Sequence, residues 1–273
     1  MSTTSKDKSV LTPGAFLIRG LAAGLIAGLL AFVVAFAFGE PYVEDAIALE
    51  EAAAAQMTPA EIAAEEEAAA HEDHTGIVEI SRDNQKSWGL LTGTLAVGTA
   101  LGGLVSLAVA GVVGRLGNLS ARASTALVAL IGFIAIALVP FTKYPATPPA
   151  VGSGETIGGR TASYFALQLV SVLAAIAMVV LANKLRGRLE AWTAATIAAL
   201  GYVVVVAVTA FLLPTVNEIG NFPADTLWYF RRSSLLVLAT LWATIGVILV
   251  ALVGRLHDRA VAEANRRELA ASI

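Results

Sequence analysis

Residues 192–218 read WTAATIAALGYVVVVAVTAFLLPTVNE. From Trp192 to Leu213 there is no charged side chain, and the run is long enough to cross a bilayer's hydrocarbon core as a helix. It stops at Pro214, which has no amide hydrogen and disfavours helical geometry in the residue before it. A polar segment, Thr215-Val216-Asn217-Glu218, follows directly. In lipid every backbone polar group must be satisfied internally, so an apolar run of this length is a helix and not a strand.

Five further runs of the same kind lie at approximately 14–38, 88–113, 124–141, 161–183 and 232–254. Each is close to the roughly 20 residues that a hydrocarbon core of about 30 Å requires. The chain is 57% hydrophobic and 14% charged, which excludes an ordinary soluble domain, and its mean hydropathy is +0.75. The runs leave no room for a separate soluble domain. The expected fold is an all-α polytopic membrane protein, a bundle of about six transmembrane helices. Two other runs also end beside a proline: Gly39-Glu40-Pro41 follows Phe38, and Pro140-Phe141-Thr142-Lys143-Tyr144-Pro145 follows Val139.

Orientation is read from lysine and arginine. With the N-terminus inside, 12 basic residues fall on the inner side and 6 on the outer side. The positive-inside rule then places both termini in the cytoplasm. The expected organisation is a cytoplasmic N-terminus at 1–13, a six-helix transmembrane domain at 14–254 with an acidic outer loop at 39–87, and a cytoplasmic tail at 255–273. All three proline-marked endings then share the outer face. The tail is mixed in charge and is expected to be helical, with His257 a solvated surface histidine. Trp88, Tyr144, Tyr164, Trp228 and Tyr229 fall near outer span ends, as interfacial aromatics do. A cleaved signal is the alternative for the first run, since Ala35-Phe36-Ala37 has the small-x-small pattern, but the run is long for such a signal. Cysteine is absent, which excludes disulfides, thiolate ligands and thiol catalysis.

Glycines give the packing surfaces. Gly20, Gly24 and Gly28 share one face of the first helix, and the second carries Gly89, Gly93, Gly98, Gly102 and Ser106. Small residues at this spacing let helices approach closely. Sliding during transport is the functional alternative to packing. Phe222-Pro223-Ala224-Asp225 reads as the start of the last helix, with Asp225 an acid of its first turn.

The outer loop holds thirteen carboxylates between Glu40 and Asp83 against one basic residue, Arg82. Its Ala/Glu-rich middle is expected to be helical when ordered, and its negative field would raise the local cation concentration. At its end, His71-Glu72-Asp73-His74 offers nitrogen and oxygen donors suited to zinc, cobalt or nickel. A solvated cluster without metal is the competing reading of His71 and His74. Glu40 and Glu218 follow the first and fifth helices, each near a proline, where carboxylates mark either an ion pathway or an ion pair. The ion-pair reading names Lys143, Arg231 or Arg232 as partners. Asn217 adds a neutral oxygen beside Glu218. Gly152-Ser153-Gly154 follows no strand and lacks the Lys-Ser/Thr ending of a phosphate loop, and no other nucleotide-hydrolysing motif occurs. No catalytic cluster is apparent, so an enzyme is not expected.

The stretch from Leu138 to Gly152, LVPFTKYPATPPAVG, resembles a signature of the CbtA family of predicted cobalt transporter subunits. Leu213-Pro214-Thr215-Val216-Asn217-Glu218, then Phe222-Pro223-Ala224-Asp225-Thr226-Leu227-Trp228-Tyr229-Phe230-Arg231, resembles a second. Arg19-Gly20-Leu21-Ala22-Ala23-Gly24 leading to Glu40-Pro41 fits the family's start. The resemblance implies cobalt uptake linked to cobalamin synthesis, often with a small His-rich single-span partner, CbtB. Many members carry more histidines in the first outer loop than the pair here.

The resulting expectation is an inner (cytoplasmic) membrane, multi-pass permease component for divalent cobalt, with nickel as the alternative ion. Glu40, His71, His74, Asn217 and Glu218 are the candidate metal residues. The partners are the metal ion, the lipid bilayer and a CbtB-like subunit; neither a nucleic acid nor a resident cofactor is expected, and Co2+ is the transported ion. The alternative is a membrane accessory that binds metal and presents it to another transporter, since no span has an acidic residue near its middle.

Overall fold

In a computed structural model, which describes residues 11–59, 80–152 and 154–272, the chain is helical, with no strand among those residues. Six helices are long and apolar enough to cross a membrane: α1 Pro13–Phe38, α3 Arg82–Val112, α4 Ala121–Lys143, α5 Ile157–Leu185, α6 Ala191–Leu212 and α7 Ala224–Ala271. A shorter amphiphilic helix, α2, spans Glu40–Ala54. Local chemistry sets several of the starts. The Thr12 hydroxyl accepts the Ala15 amide at 3.2 Å ahead of Pro13, and Ser120 caps α4 by accepting the Ala123 amide at 3.2 Å.

The closest packing is between α1 and α3, and glycine permits it. Gly20 lies against Gly102 and Ser106, Gly24 against Gly98, and Gly28 against Thr94, which is an antiparallel register. A Cβ on Gly24 would collide with the Gly98 carbonyl, so backbone meets backbone with no side chain between. Gly93 faces nothing within 4 Å, so it lies off the contact face, and the close contact runs through Thr94, Gly98, Gly102 and Ser106. The other side of α1 presents Ala23, Ala27 and Ala31 to the large residues Ile245, Leu249 and Val253 of α7, and all six are buried. Helix α4 meets α7 where Gly132 leaves room for the Trp242 ring, whose centroid is 6.4 Å from that of Phe133.

Helices α5 and α6 form a separate hairpin, joined across its interface by a 2.7 Å hydrogen bond between the Ser171 and Tyr202 hydroxyls. Only Ala194 and Ala198 of α6 are buried, while Val203, Val204, Val208 and Phe211 face outward. Such a surface suits acyl chains. The hairpin reaches the rest of the bundle chiefly through α4.

Helix α4 does not stop at Pro140, as its sequence suggests, but continues to Lys143. The backbone widens to a π-helical turn over Phe133–Leu138 just before the proline. Pro140 has no N–H to offer the Ile136 carbonyl four residues back. The Gln168 side-chain amide of α5 donates to that carbonyl instead, at 3.2 Å. A proline inside a helix is thereby compensated by a neighbouring helix.

The connectivity brings the ends of α1, α4 and α6 to one end of the bundle, with the starts of α3, α5 and α7. The opposite end is tied by Arg122, which donates to Asp258 at 2.6 Å, and by Arg186, which donates to the Leu116 carbonyl at 3.2 Å. Beyond it, α7 continues unbroken to Ala271 with Arg259, Glu263, Arg266, Arg267 and Glu268 exposed.

Candidate functional site

The three proline-marked endings converge on one cavity of about 720 Å³ at the end of the bundle where α1, α4 and α6 finish. Its wall draws on Ala35, Gly39 and Glu40 from the α1–α2 junction, Phe141 and Lys143 from the end of α4, Tyr144 through Thr147 from the loop after it, and Arg160 and Tyr164 from α5. Val216, Glu218 and Ile219 after α6, and Arg231 and Ser234 from α7, complete it.

Glu40 opens α2 directly after Gly39, with Pro41 in the first turn, where an acid suits the helix dipole. Its side chain, 14% exposed, is ion-paired with Arg82 at the start of α3. One turn further along both helices, Lys86 meets Glu44 at 3.0 Å and also Asp83 at 3.2 Å. The i,i+4 spacing on each helix makes this a two-rung ladder that fixes α2 against α3.

The proline-rich loop after α4 is tied to the segment after α6. The Tyr144 hydroxyl donates to the Pro214 carbonyl at 2.8 Å, and the Lys143 ammonium donates to the Thr215 hydroxyl at 3.1 Å. Arg231 reaches from α7 to the Ala146 carbonyl at 3.3 Å. The loop then turns through Gly152 at φ +107, a backbone angle that favours glycine, and the Arg160 guanidinium lies against it. Arg160 stands 3.7 Å from Glu218, whose carboxylate also accepts the Thr156 hydroxyl at 2.9 Å.

Glu40 and Glu218, 178 positions apart in the chain by their numbers, thus line the same cavity. Asn217 is exposed and is not part of its lining. His71 and His74 lie outside the described residues. Among the described residues no three His, Asp or Glu side chains cluster closely enough to hold a metal.

The carboxylates' partners differ from the sequence expectation. Lys143, Arg231 and Arg232 are the partners expected from the sequence, yet the pairs form with Arg82 and Arg160. Arg232 instead lies over the Tyr229 ring, 4.8 Å from its centroid, and Tyr229 stacks on Tyr42 at 5.6 Å. The available signal was position. Arg82 is the lone basic residue of the acidic segment, and Arg160 is the first basic residue after the proline-rich loop. Each opens the helix that packs beside an ending.

A search of curated proteins gives no match, and no solved structure matches the chain. One family model does match, over residues 14–254, which takes in all six spans up to the exposed end of α7. Its description is "probable cobalt transporter subunit". The chain belongs to the CbtA family of probable cobalt transporter subunits.

Proposed function

We propose that the chain is the membrane-spanning permease component of a divalent cobalt uptake system in the cytoplasmic membrane, with the cavity as its outer vestibule. The observation that carries this reading is the convergence of Glu40 and Glu218 on one cavity where three spans end. Carboxylate oxygens suit a hydrated divalent ion, and the acidic segment between α1 and α3 would concentrate cations at that mouth.

In the resting arrangement Arg82 and Arg160 occupy the two carboxylates, so metal binding exchanges a guanidinium for an ion at each. The α5–α6 hairpin, which reaches the bundle chiefly through α4, is the part best placed to move as Arg160 leaves Glu218. His71, His74 and Asn217 belong to the approach, where transient contacts precede the vestibule. With both termini cytoplasmic, membrane potential favours uptake by about 2.3 kcal/mol per charge per 100 mV. Nickel, which asks for similar donors, is the closest competitor. A link to cobalamin synthesis and a small His-rich single-span partner follow from the family reading and extend this proposal.

A second reading is favoured by the absence of a three-ligand cluster among the described residues: the chain binds metal and passes it to a separate conducting subunit. Purified protein in proteoliposomes under an imposed inside-negative potential separates the two. Potential-driven accumulation of Co2+ supports the permease. Binding without accumulation supports the accessory.

A further inference from the structure

The cavity's charge balance points to a second ligand of opposite sign. Its lining includes two carboxylates, Glu40 and Glu218, and three cations, Lys143, Arg160 and Arg231. Arg82 engages Glu40 and Arg160 faces Glu218, so both carboxylates are already matched. Lys143 and Arg231 have no carboxylate partner among the described residues. Lys143 has the Thr215 hydroxyl and the Tyr144 ring, and Arg231 spends only its Nε–H, on the Ala146 carbonyl. The terminal nitrogens of Arg231, with their parallel donors, make no hydrogen bond to any described residue.

These two cations are positioned by one loop. Lys143 ends α4, and three residues later Ala146 supplies the carbonyl that holds Arg231. A guanidinium held by its Nε–H keeps a planar fork of donors free, and the Lys143 ammonium in the lining of the same cavity adds a point charge; such groups match the oxygens of a phosphate. The space is far larger than one phosphate, and Phe141, Tyr164, Phe165, Val237 and Leu238 make much of the remaining wall apolar. A cavity with a cationic edge and an apolar wall, at the ends of membrane spans, has the shape of a site for a charged head on an apolar body.

We propose that Lys143 and Arg231 bind a phosphate group in this cavity, supplied by the headgroup of an anionic phospholipid or by free phosphate. Bound there, it would neutralise the two unmatched cations. The inference rests on those cations and not on the metal reading.

The test uses the full chain, purified and reconstituted in nanodiscs. One arm contains phosphatidylcholine with a minor share of phosphatidylglycerol, and phosphatidylglycerol retained per chain after detergent re-extraction is measured by mass spectrometry. The other contains phosphatidylcholine alone, and inorganic phosphate binding is read by phosphorus NMR line broadening. Lys143→Gln and Arg231→Gln are each expected to weaken the responding arm about tenfold, as loss of a hydrogen bond to a charged group does. Lys143→Arg keeps the charge and leaves the Arg231 fork in place, so it is expected to retain most binding, which guards against simple misfolding. Arg232→Gln, on the Tyr229 side of α7, is expected to change neither arm. A response confined to the first arm names the lipid, and one in the second names free phosphate. Binding that is absent from both arms, or equal in Arg232→Gln and the Lys143 and Arg231 variants, overturns the proposal.

Discussion

Glu40 at the head of α2 is ion-paired with Arg82 at the head of α3, forty-two positions away and across the whole acidic segment. The pair closes that segment at its base and places a carboxylate in the cavity wall. Because Glu40 is largely shielded from water, removing only the arginine strands its charge. Arg82→Gln is expected to lower stability by about 1–3 kcal/mol. Glu40→Gln with Arg82→Gln should recover part of that loss. A double-mutant cycle on thermal unfolding in detergent reads the coupling; additive losses would show that the pair contributes nothing.

The α1–α3 seam should be intolerant of side chains where backbones touch and tolerant on the faces turned away from it. Gly24→Val forces a branched side chain into the Gly98 carbonyl and is expected to cost about 1–3 kcal/mol or abolish folded yield. Gly93→Ala, with open space around it, should leave the thermal midpoint within a degree or two of the parent. Equal sensitivity at the two positions would contradict the register.

Helix α4 carries a proline that α5 compensates. Gln168→Leu removes the donor to the Ile136 carbonyl and is expected to cost about 1 kcal/mol. Pro140→Ala restores a backbone N–H four residues beyond that carbonyl, so it should suppress the Gln168→Leu defect. The comparison is of unfolding midpoints for the two single variants and the double variant. A Gln168→Leu loss that Pro140→Ala leaves untouched would show the hydrogen bond to be incidental.

Much of this architecture is legible in the sequence because lipid imposes a strong length and polarity rule. The runs at 14–38 and 192–213 coincide with α1 and α6 to within a residue or so. Helices that begin in polar sequence are less legible. Arg82, Asp83 and Lys86 open α3 before its apolar run starts, and Arg82 and Lys86 pair there with Glu40 and Glu44 across the acidic segment. The continuation of α4 through Pro140 was hidden for a similar reason, since the group that makes it tolerable, Gln168, belongs to α5. Glu40 and Glu218 stood out as carboxylates at helix ends. Their pairing with Arg82 and Arg160 could not be read from the chain, because it depends on which helices are neighbours.

Orientation is open to direct test because the chain has no cysteine. Ala52→Cys on exposed α2 and Ala262→Cys on the exposed end of α7 each introduce a lone thiol. With both termini cytoplasmic, a membrane-impermeant maleimide should label Ala52→Cys in intact spheroplasts, and Ala262→Cys only after lysis. The reverse pattern would invert the topology and place the cavity on the cytoplasmic face.

The vestibule reading stands on two carboxylates, so they provide its most direct test. The measurement is Co2+ accumulation by cells expressing the parent, Glu40→Gln, Glu218→Gln and the double variant, at matched membrane levels. Each single change is expected to reduce uptake about tenfold, in line with loss of one charge-assisted contact, and the double variant should fall to the level of cells without the protein. Parental uptake by the double variant would contradict the account and remove Glu40 and Glu218 from the ion's path.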